Sequence, residues 1–520
     1  MTQQKRDRRT KVQGHRKGAV TRRVENVGGA SAVTVNERTL QLGLCFGTAE
    51  IPQGTVGEAA MGLPVAATRA EPKPRHKEQR ATSATMEEVC ERLTYALDNV
   101  ASNKGAPGPD RQRIEQVREH WSELEPVLRA ALLEEAYEPG NIRRVWIPKA
   151  NGGQRGLGIP NVVDRVVQEA VRMVLEPLYE PTFHEASHGF RRGRSCQTAI
   201  KAAYGYIDEG FEWVVDLDLE KFFDQVSHQR LMARLAQRVD NHALLKLIGK
   251  MLKAKVVMPD GVLVNTEEGV PQGGPLSPLL SNIVLDELDQ ELGRRGHRFV
   301  RYADDCNIYV RSERAGRRVM ASVTKFIEKR LRLKVNVAKS AVARPEERHF
   351  LGFRLKREPM DGKVEVLLSK RTKERVDGRI RELTPRNWGQ SLAKCISGIN
   401  GYLVGWIGSF GICTTGVQQV LEALDAHIRR RLRAILLAHW KTKRTTVRKL
   451  IRLGAKPKTV WRWIYGGHRS FWAMSHSPAV HQGLRNAYFA ERGLVSLVER
   501  WKRLARYIGA PGEQMMLTLG

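Results

Sequence analysis

The chain has 520 residues, with 87 Lys and Arg against 56 Asp and Glu, a formal charge of +31 and a pI near 10.2. A hydrophobic content of 41% excludes wholesale disorder, and no apolar run approaches the ~20 residues of a membrane span. So large a cation excess is beyond what solubility needs and points to a polyanion, nucleic acid foremost.

Residues 1–82 are rich in Gly, Ala, Thr, Val and Arg and show no helical or strand period. They read as a basic, mostly disordered extension, or as upstream frame with Met86 nearer the natural start. Lys5, Arg6, Arg8 and Arg9 are not followed by the apolar stretch of a signal peptide. A helix is expected to begin at Thr85, a cap with Glu88 three residues on, and to stop at the loop Asn103–Asp110. A second should run from Glu115 to Ala136. Arg143–Lys149 and Arg155–Pro160 flank the turn Ala150–Gly153 and predict a hairpin, basic at its tip and base. An amphipathic helix over Val162–Leu178 and a basic glycine loop, Gly189–Ser195, come next.

Trp213–Leu219 alternates apolar and acidic residues, the pattern of a half-buried strand ending at Asp218. Gly269–Pro275 is a loop, after which Ser277 as N-cap and Pro278 as N1 should open a helix. Phe299–Val310 reads as two strands hinged at Asp304-Asp305, and beyond Lys370 only helices are expected. Cys45, Cys90, Cys196, Cys306, Cys395 and Cys413 lie far apart without a C-x-x-C pair. That argues against a disulfide framework or structural zinc and for a reducing cytoplasm.

Alone, Asp304-Asp305 is most simply a tight turn. Adjacent carboxylates between apolar strands repel each other, however, and shared hard cations such as Mg²⁺ relieve them. A third carboxylate from a neighbouring strand, Asp218, would complete a two-metal site able to activate a 3′-hydroxyl and stabilise a leaving pyrophosphate.

Tyr302-Ala303-Asp304-Asp305 resembles the signature box of reverse transcriptases, and Asp218-Leu219-Glu220-Lys221-Phe222-Phe223-Asp224 resembles their first catalytic box. With Asn103–Asp110, the Arg143–Pro160 hairpin, Gly189–Ser195, Gly269–Pro278, Leu331–Ser340 and Phe350–Phe353, the set resembles bacterial group II intron-encoded proteins from about Met86 to Tyr507. The resemblance implies that Asp218, Asp304 and Asp305 hold two Mg²⁺ ions with help from the Leu219 carbonyl. It implies that Phe223 lies under the incoming sugar and excludes a 2′-hydroxyl; without the motif it would read as a core aromatic. Lys149 and Arg155 would meet the triphosphate, Gln272 the nucleotide or template, and Lys339 would be a candidate general acid. Taken alone, these cations read as solvated surface groups. Gly156, His188, Arg192, Pro109 and Arg111 depart from the family pattern, but none is an implied metal ligand.

From Arg381 to Gly520 there are 23 Lys and Arg against 6 Asp and Glu, so this stretch carries +17. Arg429, Arg430, Arg431, Arg433, Lys441, Lys443, Arg444, Lys456 and Lys458 are its candidate RNA contacts, with Trp461, Trp463, Tyr465, Phe471 and Trp472 interleaved as stacking platforms or as core. The family's C-terminal nuclease domain, with its paired cysteines, is not expected, since no cysteine follows Cys413.

The expected fold is an α/β (α+β) right-hand polymerase followed by an all-helical domain. Fingers should occupy 83–205, palm 206–365, helical thumb or maturase 366–455, a basic aromatic region 456–510 and a tail 511–520. The implied function is RNA-directed DNA polymerase and splicing cofactor for the parent intron. Its partners would be intron RNA, template RNA, primer or target DNA and deoxynucleoside triphosphates, in a cytoplasmic, nucleoid-associated setting without membrane and with a possible homodimer. The competing readings are a splicing-only maturase and a reverse transcriptase repurposed for phage defence or diversity generation.

Overall fold

The computed structural model describes residues 84–148, 152–385, 387–467 and 470–508. The extension 1–82, the tail 511–520 and Lys149 lie outside the described residues, as do His468 and Arg469.

The chain opens with α1 (Met86–Ser102), whose first turn is capped where the Glu88 amide donates to Thr85 Oγ1. Its Leu93, Ala96, Leu97 and Val100 stripe packs on α4 (Val162–Tyr179). Between them the expected single helix is two, α2 (Ile114–Glu119) and α3 (Trp121–Leu133). His120, at φ −103° and ψ 15°, breaks the run. The expected hairpin forms from β1 (Ile142–Pro148) and β2 (Gln154–Ile159), paired antiparallel from Arg143↔Ile159 to Pro148↔Gln154. Next come α5 (Cys196–Asp208), β3 (Trp213–Leu217), α6 (His228–Leu235) and α7 (His242–Leu252). The short strands β4 (Val256–Val257) and β5 (Leu263–Val264) extend the first sheet to the order β2-β1-β4-β5.

Helix α8 (Ser277–Arg294) starts one residue earlier than its sequence suggests, with Leu276 as cap. Ser277 is not the cap because its hydroxyl donates to the Pro271 carbonyl at 2.6 Å. Strands β6 (Arg298–Tyr302) and β7 (Asp305–Val310) form the second hairpin, followed by α9 (Glu313–Phe326) and β8 (Ala341–Ala343). They build an antiparallel sheet of order β6-β7-β3-β8. A separate ribbon, β9 (Phe353–Arg357) with β10 (Val364–Leu368), leads into the helices α10 (Lys370–Leu383), α11 (Leu392–Phe410), α12 (Gln418–His439), α13 (Lys443–Arg452) and α14 (Pro457–Tyr465). Four more close the described chain: α15 (Phe471–Met474), α16 (Pro478–Gly483), α17 (Asn486–Ala490) and α18 (Leu497–Ile508). Mixed sheets followed by an all-helical half are the architecture the sequence implied.

Two apolar cores meet at the central sheet. Val215, Leu217, Cys306 and Ile308 face the first, with α1, α4 and α8. Val214, Val300 and Tyr309 face the second, with α5, the β9–β10 ribbon and the helices after Lys370. The strand read as half-buried is therefore covered on both faces, since alternate side chains go to different cores. No helix among the described residues is long and apolar enough to cross a membrane.

Candidate active site

The β3–β7 register ends at Leu217↔Cys306. One step further, it sets Asp218 opposite Asp305. Because side chains alternate, Asp216, Asp218, Asp305 and Asn307 share the face that carries Val214 and Tyr309. Asp218 is fixed by its backbone: its amide donates to Ser340 Oγ at 3.0 Å, and its carbonyl accepts from the Asn336 amide at 2.8 Å. The Glu220 amide donates to the Lys334 carbonyl at 2.8 Å. The pair Leu219↔Val335 lies between those two bonds, so the Leu219 carbonyl turns away from that neighbour and keeps its lone pairs for another partner.

The β6–β7 turn reverses at Ala303, whose φ of +55° is unusual for a residue with a side chain. It delivers two successive carboxylates, Asp304 half-buried and Asp305 exposed, to the end of the sheet that carries Asp218. Desolvation raises Asp304 above the ordinary carboxylate range, against the opposing charge of Arg155. Asp305 is pushed up to about 7, first by the protein mass around it, then by the charges of Asp304, Asp216 and Asp218. A site that resists its own ionisation in this way, built of hard oxygen donors, fits a divalent cation. Among the described residues, no three acidic, His or Cys side chains already close on one point as a preformed cage. Lys339 instead stands at Asp218, its Nζ 3.3 Å from Oδ2 and 3.4 Å from Oδ1.

The other implied residues divide. Arg155 and Gln272 come together, the guanidinium Nε donating to Oε1 at 2.7 Å from strands and loops 117 residues apart. Their contact is built by backbone: the Gly158 amide donates to the Gln272 carbonyl at 2.7 Å. Gly273, at φ +129°, approaches so closely that a Cβ there would lie 2.3 Å from the Gly158 oxygen. Phe223 is buried beside Phe222, ring centroids 5.2 Å apart, and its carbonyl accepts from the Val270 amide at 2.7 Å. That is the position of a core aromatic.

The sequence did not single out Asp216 and Arg348. Arg348 donates to Asp216 Oδ2 through Nε at 2.8 Å and through its terminal nitrogen at 2.6 Å, and also grips the Lys339 carbonyl at 2.6 Å. The signal available was the i, i+2 spacing of Asp216 and Asp218, which puts both on one strand face.

In the helical half, Lys441, Lys443, Arg444, Lys456 and Lys458 are exposed, as expected of phosphate contacts. Arg431 and Arg433 are not. Arg431 is buried, donating to Thr384 Oγ1 and the Thr384 carbonyl, and Arg433 is buried against the Leu484 carbonyl and Asn486 Oδ1. These two hold helices together and are withdrawn as RNA contacts, because their guanidiniums are spent on buried carbonyl and side-chain oxygens. Arg430 lies 4.1 Å over the Trp472 ring, and both Arg429 and Arg430 are half-buried. The sequence missed Arg448 and Arg452, which continue Arg444 at four-residue spacing as an exposed basic stripe on α13. Trp461 and Tyr465 are exposed and stacked, 5.1 Å apart and 13° from parallel, with Lys443 Nζ 5.5 Å over the Tyr465 ring. Phe471 is exposed, whereas Trp463 and Trp472 are half-buried.

The reverse transcriptase (RNA-dependent DNA polymerase) family matches residues 147–355, and the group II intron, maturase-specific domain matches residues 373–454. Protein YkfC of Escherichia coli (strain K12) is 40% identical over 209 residues, covering 39% of this chain and 55% of that protein. Group II intron-encoded protein LtrA of Lactococcus lactis subsp. cremoris is 39% identical over 203 residues, covering 38% of this chain and 32% of that protein. The chain thus spans about half or less of the length of these relatives. A putative intron 2 protein of COX1/OXI3 from Saccharomyces cerevisiae (strain ATCC 204508 / S288c) is 30% identical over 287 residues, covering 44% of this chain and 34% of that protein.

Proposed function

Because the chain belongs to the group II intron-encoded proteins, with a reverse transcriptase domain followed by a maturase-specific domain, we propose that it is an RNA-directed DNA polymerase that also binds its parent intron RNA to assist splicing and retrohoming. The observation that carries the polymerase reading is the Asp218–Asp305 register on one sheet face, with Asp304 beside it at the left-handed Ala303 turn. Two Mg²⁺ ions held by Asp218, Asp304, Asp305 and the Leu219 carbonyl would supply the charge that activates a primer 3′-hydroxyl and stabilises departing pyrophosphate.

The protein's own groups do the rest. Arg155, braced by Gln272, offers a forked cation for the triphosphate of the incoming deoxynucleotide. Lys149 is assigned to the same phosphates. Phe223 walls the sugar side. Lys339, with its carbonyl held by Arg348, keeps an ammonium at Asp218, where it can give a proton to the leaving group. The exposed stripe Arg444, Arg448 and Arg452, with Lys441, Lys443, Lys456 and Lys458 around the Trp461–Tyr465 stack, is the proposed grip on intron RNA.

Primer extension on an RNA template with Mg²⁺, comparing wild type with Asp304→Ala, tests the polymerase. Equal extension by both would sink the assigned site. Splicing of the flanking intron RNA by the Asp304→Ala protein tests the second role apart from the first; loss of splicing in that variant would contradict a division between the two halves.

A further inference from the structure

Resting on the polymerase reading, we infer that Arg301 is the positioning residue of the catalytic turn, and that it works through a buried clamp with Asp289, Asn282 and Ser187. Arg301 is the largest fully buried side chain among the described residues, and Asp289 and Asn282 are equally inaccessible at 0% exposure. Every N–H of the guanidinium is used. Nε and one terminal nitrogen donate to the two oxygens of Asp289 at 2.7 and 2.6 Å. The same terminal nitrogen donates to Ser187 Oγ at 2.7 Å. The other donates to Asn282 Oδ1 at 3.1 Å and to the Ala303 carbonyl at 2.8 Å.

The last of these bonds is the functional one. Ala303 is the left-handed residue that turns β6 into β7, and fixing its carbonyl fixes the peptide plane that carries Asp304. The remaining side of the turn is closed by Gly189, where a Cβ would lie 2.2 Å from the Ala303 nitrogen. Asn282 joins the two, its amide donating to the Gly189 carbonyl at 2.9 Å. The Arg301 backbone is gripped as well, by the Ala186 carbonyl at 2.9 Å and the His188 amide at 2.8 Å. A buried ion pair is a weak stabiliser compared with apolar residues of the same volume. The clamp therefore serves orientation, holding two mutually repelling carboxylates in place before any cation or nucleotide arrives.

The test uses the full chain and two variants. In Arg301→Met with Asp289→Leu, both charges are replaced by apolar groups, so no unpaired charge is buried. Arg301→Lys keeps the charge on Asp289 but lacks the fork that reaches Ala303. For both, kcat for nucleotide addition should fall about 100-fold with the KM for the nucleotide little changed, as expected for a displacement near 1 Å at reacting groups. Amides from Ala303 to Cys306 should exchange hydrogen faster in metal-free protein, while the β3–β7 ladder exchanges as in wild type. Wild-type kcat and unchanged exchange in either variant would overturn the inference. A wild-type protein that extends no primer would instead refute the polymerase reading, while the exchange measurement still judges the clamp.

Discussion

Gly273→Ala is the sharpest probe of how the proposed nucleotide-binding pair, Arg155 and Gln272, is held together. At φ +129° the new Cβ would stand 2.3 Å from the Gly158 oxygen and 3.3 Å from a Leu157 methyl, so a backbone atom, not a flexible side chain, must give way. An L-residue held in that region of backbone space costs of order 1–3 kcal/mol. Relief requires breaking the Gly158 amide to Gln272 carbonyl bond, worth about 1 kcal/mol. If the fold holds, the strain appears as a lower thermal midpoint. If the loop swings off β2, Gln272 leaves Arg155 and the KM for the incoming nucleotide rises about tenfold, the equivalent of about 1.4 kcal/mol. Gly193→Ala is the control: φ is +67° but nothing lies within 4 Å of its Cβ, so only about 1 kcal/mol of backbone strain is expected and no change in KM. Primer extension at varied nucleotide, with melting of the same preparations, decides. Wild-type melting and wild-type KM in Gly273→Ala would refute the reasoning.

Asp305→Asn should lower extension at least about 100-fold while template–primer affinity holds, because it removes a developing-charge partner and not a binding surface. Burial, then Arg194, Arg191 and Arg301, hold His188 down to about 4. The unfolded chain therefore binds the extra proton first, and His188 weakens the fold as pH falls from about 6.5 to 4, by up to about 3 kcal/mol, and is silent above 7. Denaturant unfolding of wild type and His188→Gln across that window should show the steeper loss in wild type; parallel curves would contradict it. Replacing Arg444, Arg448 and Arg452 with Ala should reduce the slope of log affinity against log salt for intron RNA by about 2 to 3. Arg433→Met should leave that slope alone and lower the melting temperature. Trp461→Ala should weaken single-stranded RNA binding by about 1–3 kcal/mol through lost stacking.

Much of the site was legible in the sequence because its elements are local. The Asp304-Asp305 hinge, the alternation ending at Asp218 and the glycines around Gln272 are patterns of neighbours. What escaped were contacts made by distant residues. Arg431 and Arg433 look like surface cations until Thr384 and Leu484 fold against them. Arg301 reads as one more cation in a basic chain, and only the twelve-residue reach back to Asp289 on α8 buries it. His120 splits a helix whose apolar pattern is continuous, since pattern reports the buried face and not the backbone. Ser277 lost its capping role to a carbonyl six residues earlier.

The two-sided burial of the central sheet reaches beyond packing. Val214, Val300 and Tyr309 complete a core made largely by residues after Phe350, while their strand neighbours complete another. Cutting the chain between the family-matched segments would uncover much of one face of the strand that leads into Asp218. The halves should therefore unfold as a single cooperative unit. RNA captured by the helical half would then withdraw unfolded chain by mass action and raise the heat tolerance of the carboxylate face as well. On the proposed function, intron RNA would then act as a folding ligand for the half that carries the three aspartates.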